Sequence, residues 1–458
     1  MIVDNSSHKQ AELFIDKQWA LLRDRLSHKS VKKLCEDEKN SNLLIFPHCL
    51  GDRRKEFCEA HICEIVGDTL TTGNLMGFVG VKKDNDTSVE LTIRSRFQRD
   101  GKDDYFLHYL LEKVFHINLL KLPTSGGDSE AFEFILYHLF THYLKKAIKQ
   151  GLFKQYRKCE YNDANVRGVI DIPRHIRYNM PFNGKVAYRT SEYKYDNPVT
   201  QLIRHTIEYI RRSPMAGNVL KCDKKTDEAV RTIYDITTSY NANDRQRIIS
   251  QNLKPVKHPF YTQYTFLQRL CLHILRHKKM SYSQSEHKVH GILFDGAWLW
   301  EEYLATLLVS KGFTHAVKEE KNGIKFFEEG SGANQRYPDF YSLDRRSVID
   351  AKYKNIDGGM GQREDQFQLI AYMHTLGDKD SKDSKGEDVR GAKFGALVYP
   401  SEKDNYREYQ LNGCGGTYAI VSIKIPKGIE ESYTMFCKEM KNSEEAICKF
   451  DSHFKTEE

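Results

Sequence analysis

The sequence has no C-x-x-C pair, no phosphate-binding loop and no apolar run long enough to cross a bilayer. Its ten cysteines lie scattered at 35, 49, 58, 63, 159, 222, 271, 414, 437 and 448. That spacing excludes a zinc ribbon and the clustered thiolates of many iron–sulfur sites, and reads as reduced thiols in an intracellular protein. The pattern G-x-x-x-x-G-K-[ST] is absent. The glycine-rich GNLMGFVG (73–80) lacks both its lysine and its hydroxyl, so any nucleotide-driven motor must come from another chain. The most apolar stretch, AFEFILYHLFTHYL (131–144), is too short for a transmembrane helix and contains Glu133, His138 and His142. The opening MIVDNSSHKQAELFIDKQWALL shows no apolar core of signal-peptide type. The expectation is a cytoplasmic protein with no membrane contact.

What is present is ordinary globular material. Of 458 residues, 40% are hydrophobic and 29% charged, enough apolar mass for two or three domains with real cores. The formal net charge of +7 fits a nucleic-acid partner but does not single one out. Three segments follow from the patterning. Residues 1–122 read as a helical start followed by a β-rich domain, with a hairpin in GFVGVKKDNDTSVELTIRSRF (77–97) and a helix over 103–115. Residues 123–285 read as mostly helical. The clearest helix there follows YDNPVTQ, with Asn197 as cap, Pro198 in the first turn, and Val199, Leu202, Ile203, Ile207 and Ile210 at helical spacing. Two strands are expected just before it, RGVIDIPRHI (167–176) and GKVAYRTSEYKYD (184–196). Basic residues recur at Lys145, Lys146, Lys149, Lys154, Arg157, Lys158 and Arg167, either as a solvated face or as a phosphate-tracking surface. Residues 286–458 alternate helix, three strands, helix and strand, a mixed α/β domain. The whole is expected to be a mixed α+β chain.

The chemistry concentrates in RYPDFYSLDRRSVIDAKYK (336–354). Two strand-forming runs flank a polar turn, and each carries an acid. Residues i and i+2 of a strand share a face, so Asp350 and Lys352 point together. A hairpin through LDRRS brings Asp339 alongside them. Two adjacent carboxylates repel and raise each other's pKa unless a cation lies between them. Mg²⁺ answers that need, being hard, oxygen-seeking and content with one or two protein carboxylates plus water and phosphate. Lys352 adds a compact charge suited to orienting water or steadying phosphate. Downstream, Gln368 and Tyr372 stand four apart on one helix face. Upstream, LWEEYL places Glu301 and Glu302 on another helix.

YPDFYSLDRRSVIDAKYK followed by QLIAYM resembles the PD-(D/E)XK nuclease superfamily, in the subgroup with a trailing Q-x-x-x-Y helix. RGVIDIPRHI, AYRTSEYKYDNPVTQLIRHTIEYI and GILFDGAWLWEEYL resemble the McrC family of McrBC-type, 5-methylcytosine-dependent restriction systems. The likeness is good over roughly 130–400 and looser over 1–120. It implies a C-terminal PD-(D/E)XK nuclease domain. It makes Asp339 and Asp350 Mg²⁺ ligands, Lys352 the catalytic lysine, and Glu301 an auxiliary acid and third ligand, with Glu302 as its rival. It has Gln368 and Tyr372 contacting DNA phosphate or bracing the site. It also implies DNA and a McrB-like AAA+ GTPase as partners, the latter recognising the modified base and bound through the non-nuclease part. A non-catalytic adaptor with the same fold, or a stand-alone RecB-like nuclease, are the alternatives.

Overall fold

The computed structural model describes the chain except residues 1, 11–13, 38–39, 41–42, 51–54, 85–86, 98–103, 116–127, 217, 257, 281–287, 317–322, 328–334, 357–358, 377–390, 413–414, 427–431, 446 and 448–458. The charged loop after 376, the C-terminal tail and most of the boundary at 122–129 therefore lie outside the described residues. Two compact units form: Met1–Asn118 with Glu286–Glu458, and Leu119–Ser285 between them.

The first unit holds a five-stranded sheet in the order Ile2–Val3, Thr87–Arg94, Leu75–Asp84, Lys288–Asp295, Leu43–Phe46. The expected hairpin forms its centre, pairing Val79 with Leu91 and Val81 with Val89. Their apolar side chains, with Trp19, Leu22, Ile45 and Leu293, make one core. Two features differ from the sequence reading. The helical start forms at Asp16–Arg25 and Val31–Glu36 but is preceded by short strands, because Ile2 and Val3 join the sheet edge beside Ile93 and Arg94. A two-residue addition of that kind has no periodicity to detect. The run KVHGILFD, counted with the last segment, is a strand of the first segment's sheet, antiparallel to Leu75–Asp84 and parallel to Leu43–Phe46.

Its last residue, Asp295, caps the next helix, Gly296–Leu308, by accepting from the Trp298 amide at 2.8 Å. That helix leads into a six-stranded mixed sheet, ordered Phe313–His315, Phe340–Ser342, Ser347–Ala351, Phe394–Ser401, Thr417–Lys424, Asn405–Gln410. The Ser347–Ala351, Phe394–Ser401 and Thr417–Lys424 strands run parallel and are buried almost throughout, as strands covered on both faces are. Val348 and Leu397 pack under Leu369, Tyr372 and Met373 of the helix Arg363–Thr375. On the other face Tyr353 lies so close to Gly296 that a Cβ there would stand 2.5 Å from its ring.

The second unit is helical around a three-stranded sheet, Gln155–Asp163, Val186–Lys194, Val169–Ile170. RGVIDIPRHI departs from expectation. Only Val169 and Ile170 pair as strand, and Ile172–Asn179 is a helix. Asp171 ends the strand by accepting from the Arg174 amide, and Pro173 suits the first turn. The recurrent basic residues are partly committed locally: Lys145 pairs with Asp223 at 2.6 Å, Arg157 donates to the Asp196 carbonyl, and Lys154 lies over Tyr195.

The helix Pro198–Arg211 forms as read, with Asn197 fully buried at its cap. The Asn197 side chain accepts from the Val199 and Thr200 amides and donates to the carbonyls of Phe153, Lys194 and Tyr195. Replacing it with alanine orphans several buried groups at once. Asn197→Ala is expected to lower the stability of the second unit by about 2–3 kcal/mol in denaturant titration. A loss within about 0.5 kcal/mol would show that water restores those bonds.

Candidate active site

The hairpin register pairs Phe340 with Ile349 and Tyr341 with Val348. One step further along, Asp339 stands opposite Asp350. Its Oδ2 accepts from the Ala351 amide at 2.7 Å, which fixes the carboxylate against the neighbouring strand. The sequence PDF supports this placement, since Pro338 cannot donate to a ladder and leaves Asp339 at the strand mouth.

Asp350 sits in the middle of the sheet with 2% exposure. Its buried Oδ2 is 2.5 Å from Lys352 Nζ, whose ammonium is its close counter-charge. Burial pushes the Asp350 carboxyl up, against the pull of Lys352. Burial also drives Asp339 well above the carboxylate range, helped by the charges of Asp350 and Glu301 and opposed by Lys352. Burial works against the Lys352 ammonium, yet attraction to Asp350, Asp339 and Asp365 prevails and raises its pKa.

Lys352 Nζ also donates to Gln368 Oε1 at 3.0 Å, and Gln368 Nε2 donates to the Tyr372 hydroxyl at 3.1 Å. Tyr372 is buried against Phe326. The four-residue spacing thus brings Gln368 onto the lysine and Tyr372 behind Gln368. Glu301 behaves differently. Its Oε1 is 2.7 Å from His315 Nε2, and His315 stacks on Phe340. It lies near enough to perturb Asp339, but in this arrangement its carboxylate faces a histidine. Glu302 makes no described contact with these groups and is half-buried.

Sequence reasoning missed three members of this neighbourhood. His315 escaped because it comes from another strand. Asp365 is 4% exposed and takes Lys354 Nζ at 3.0 and 3.1 Å, with Lys352 Nζ at 3.7 Å. Its signal was available: 365, 368 and 372 follow the i, i+3, i+7 spacing of one helix face. Lys354 repeats the strand period of Lys352, although it lies beyond the strand's end.

A divalent cation fits this donor set. Two carboxylates are pressed together in a buried place, and burial and their mutual repulsion hold the Asp339 carboxyl well above its usual range. Among the described residues no group of three or more His, Cys, Asp and Glu side chains converges to hold an ion by protein atoms alone. Among the described residues no helix is long and apolar enough to cross a membrane.

A family model described as a McrBC 5-methylcytosine restriction system component matches residues 70–400, more than half of the chain. No curated protein matches it. Among solved structures, a half-complex of Thermococcus gammatolerans McrB AAA+ hexamers with bound McrC is similar at 15% identity and TM-score 0.44, covering 98% of this chain and 99% of that one. The Thermococcus gammatolerans McrBC complex is similar at 12% identity and TM-score 0.30, covering 67% and 86%.

Proposed function

The chain belongs to the family of McrBC 5-methylcytosine restriction system components, and from that premise we propose that it is the Mg²⁺-dependent DNA endonuclease subunit, with a PD-(D/E)XK nuclease domain. The observation that carries this reading is the opposition of Asp339 and Asp350 across one hairpin with Lys352 Nζ in contact with Asp350. Asp339 and Asp350 would hold the ion. When bound there, it would supply a water of lowered pKa and neutralising charge at the scissile phosphate. Lys352, kept charged by its acidic neighbours, steadies the attacking oxygen or the phosphate. Gln368 restrains the lysine, and Tyr372 fixes Gln368.

A McrB-like AAA+ GTPase is the partner in this reading. The lack of a phosphate loop in the sequence supports that division of labour. So does a group of exposed apolar side chains in the second unit, Val169, Ile170, Ile172, Ile176, Met180 and Phe182, of the kind that marks protein contacts. The deciding experiment is cleavage of methylated DNA by this chain with Mg²⁺, with and without such a partner and GTP. Absence of cutting under every combination would sink the reading. Cutting by the isolated chain would instead favour a stand-alone nuclease.

The carboxyl shifts set a pH dependence. Both folded pKa values lie above the ordinary 3.8, so the folded chain binds protons that the unfolded chain releases. Without metal, this pair therefore destabilises the fold increasingly as pH rises from about 4 through the folded values. A divalent cation replaces those protons. The rise in Tm on adding Mg²⁺ or Mn²⁺ is expected to be larger near pH 8 than near pH 5. An equal rise at both, read by scanning fluorimetry, would place the ion elsewhere.

A further inference from the structure

Asp365 has a role that the catalytic reading does not require. Its carboxylate is buried, on the helix that covers the hairpin, and it stands between two lysines: Lys354 at 3.0 Å and Lys352 at 3.7 Å. Lys352 meanwhile rests 2.5 Å from an Asp350 carboxylate oxygen. The ammonium therefore occupies the place of a counter-ion beside the carboxylates that a metal would need. When a divalent cation takes those carboxylates, Lys352 loses its attraction to Asp350 and meets a like charge. It is only 14% exposed as a side chain, so it needs another buried anion rather than water.

We propose that Asp365 is the second seat for Lys352, a positioning residue that receives the ammonium when metal enters and thereby lowers the cost of displacing it from Asp350. Gln368 Oε1, 3.0 Å from Nζ, is the pivot that stays bonded in both positions. Lys354 partly neutralises Asp365 and keeps it in place, donating to Gln362 as well. The seat is needed because Gln368 offers a dipole but no charge. The proposal rests on the nuclease reading above, in that Asp339 and Asp350 hold the ion.

The test is a double-mutant cycle on Mn²⁺ binding to the full chain, measured by calorimetry without DNA. Asp365→Asn is isosteric and removes only the charge. In the otherwise native chain it is expected to weaken Mn²⁺ affinity about tenfold, the scale of one lost charge-assisted hydrogen bond. In a Lys352→Met background no ammonium has to be moved, so Asp365→Asn is expected to leave affinity within about twofold. Equal weakening in both backgrounds would make Asp365 a general scaffold residue and overturn the proposal. So would no weakening in either. Thermal melts of all four chains report whether folding is intact. If Lys352→Met and Asp365→Asn unfold together, Lys352→Gln supplies the neutral background. Failure of the native chain to bind Mn²⁺ at all would instead overturn the nuclease reading itself.

Discussion

Asp350→Asn is expected to reduce DNA cleavage by about three orders of magnitude or more while leaving the chain folded and its partner contacts intact. The substitution keeps shape and volume in a strand that has 2% exposure at this position, so it creates no cavity. It removes the charge that a divalent ion needs and leaves a neutral amide oxygen in its place. It also strips Lys352 of its nearest anion, although Asp365 and Gln368 remain within 3.7 and 3.0 Å. Relief of repulsion with Asp339, which the Asp350 charge pushes upward, offsets part of that loss. The fold is therefore expected to tolerate the change, with a Tm within a few degrees of the native chain. Cleavage is read by nicking and linearisation of methylated DNA, and stimulation of the partner's GTP hydrolysis is read in parallel. Loss of cutting with retained stimulation separates a nuclease from an adaptor. Cutting that persists would mean that the Asp339–Asp350 pair is structural.

The parts of this site that were legible in the sequence are those where one short element carries the whole signal. PDF, the polar turn and SVIDAKY lie within one hairpin, so strand periodicity alone predicts that Asp339, Asp350 and Lys352 meet, and the structure sets them side by side. Asn197 was legible for a similar reason: a cap is decided by the residues next to it. The Gln368–Tyr372 face was legible as spacing, but its contact with Lys352 required knowing that the helix lies over the hairpin. Glu301 shows the limit from the other side. Its helix was read correctly, yet its partner is His315, which arrives on the strand Phe313–His315. The placement of KVHGILFD was illegible for the same kind of reason. An apolar run before a helix looks alike whether it starts a new domain or completes an earlier sheet, and only the pairing with Leu75–Asp84 decides. RGVIDIPRHI was misread because its β-branched residues resemble a strand, while Asp171 and Pro173 carried the competing helix-start signal.

Lys352→Met is expected to lower cleavage by at least about a hundredfold while leaving divalent-ion binding intact or tighter. The methionine keeps the length and apolar stem of lysine, so packing against the covering helix survives. What it removes is the ammonium that Asp350 and Asp339 hold charged, in direct contact with the Asp350 oxygen. In the proposed site ion binding does not need that charge, which competes with the ion for Asp350. In the proposed mechanism the cleavage step does need it, because charge that gathers on the phosphate in the transition state would meet a preorganised positive group that costs no reorganisation. The loss is therefore expected to fall on the cleavage step under saturating metal, with DNA affinity changed little, since one lysine contributes little to affinity where many phosphate contacts share it. Raising Mg²⁺ is not expected to rescue the variant, which distinguishes it from Asp350→Asn, where weakened ion binding is part of the defect. Single-turnover cleavage across a range of Mg²⁺ concentrations measures both at once. A Lys352→Met chain that regains native rates at high Mg²⁺ would show that the lysine serves only to tune the metal site.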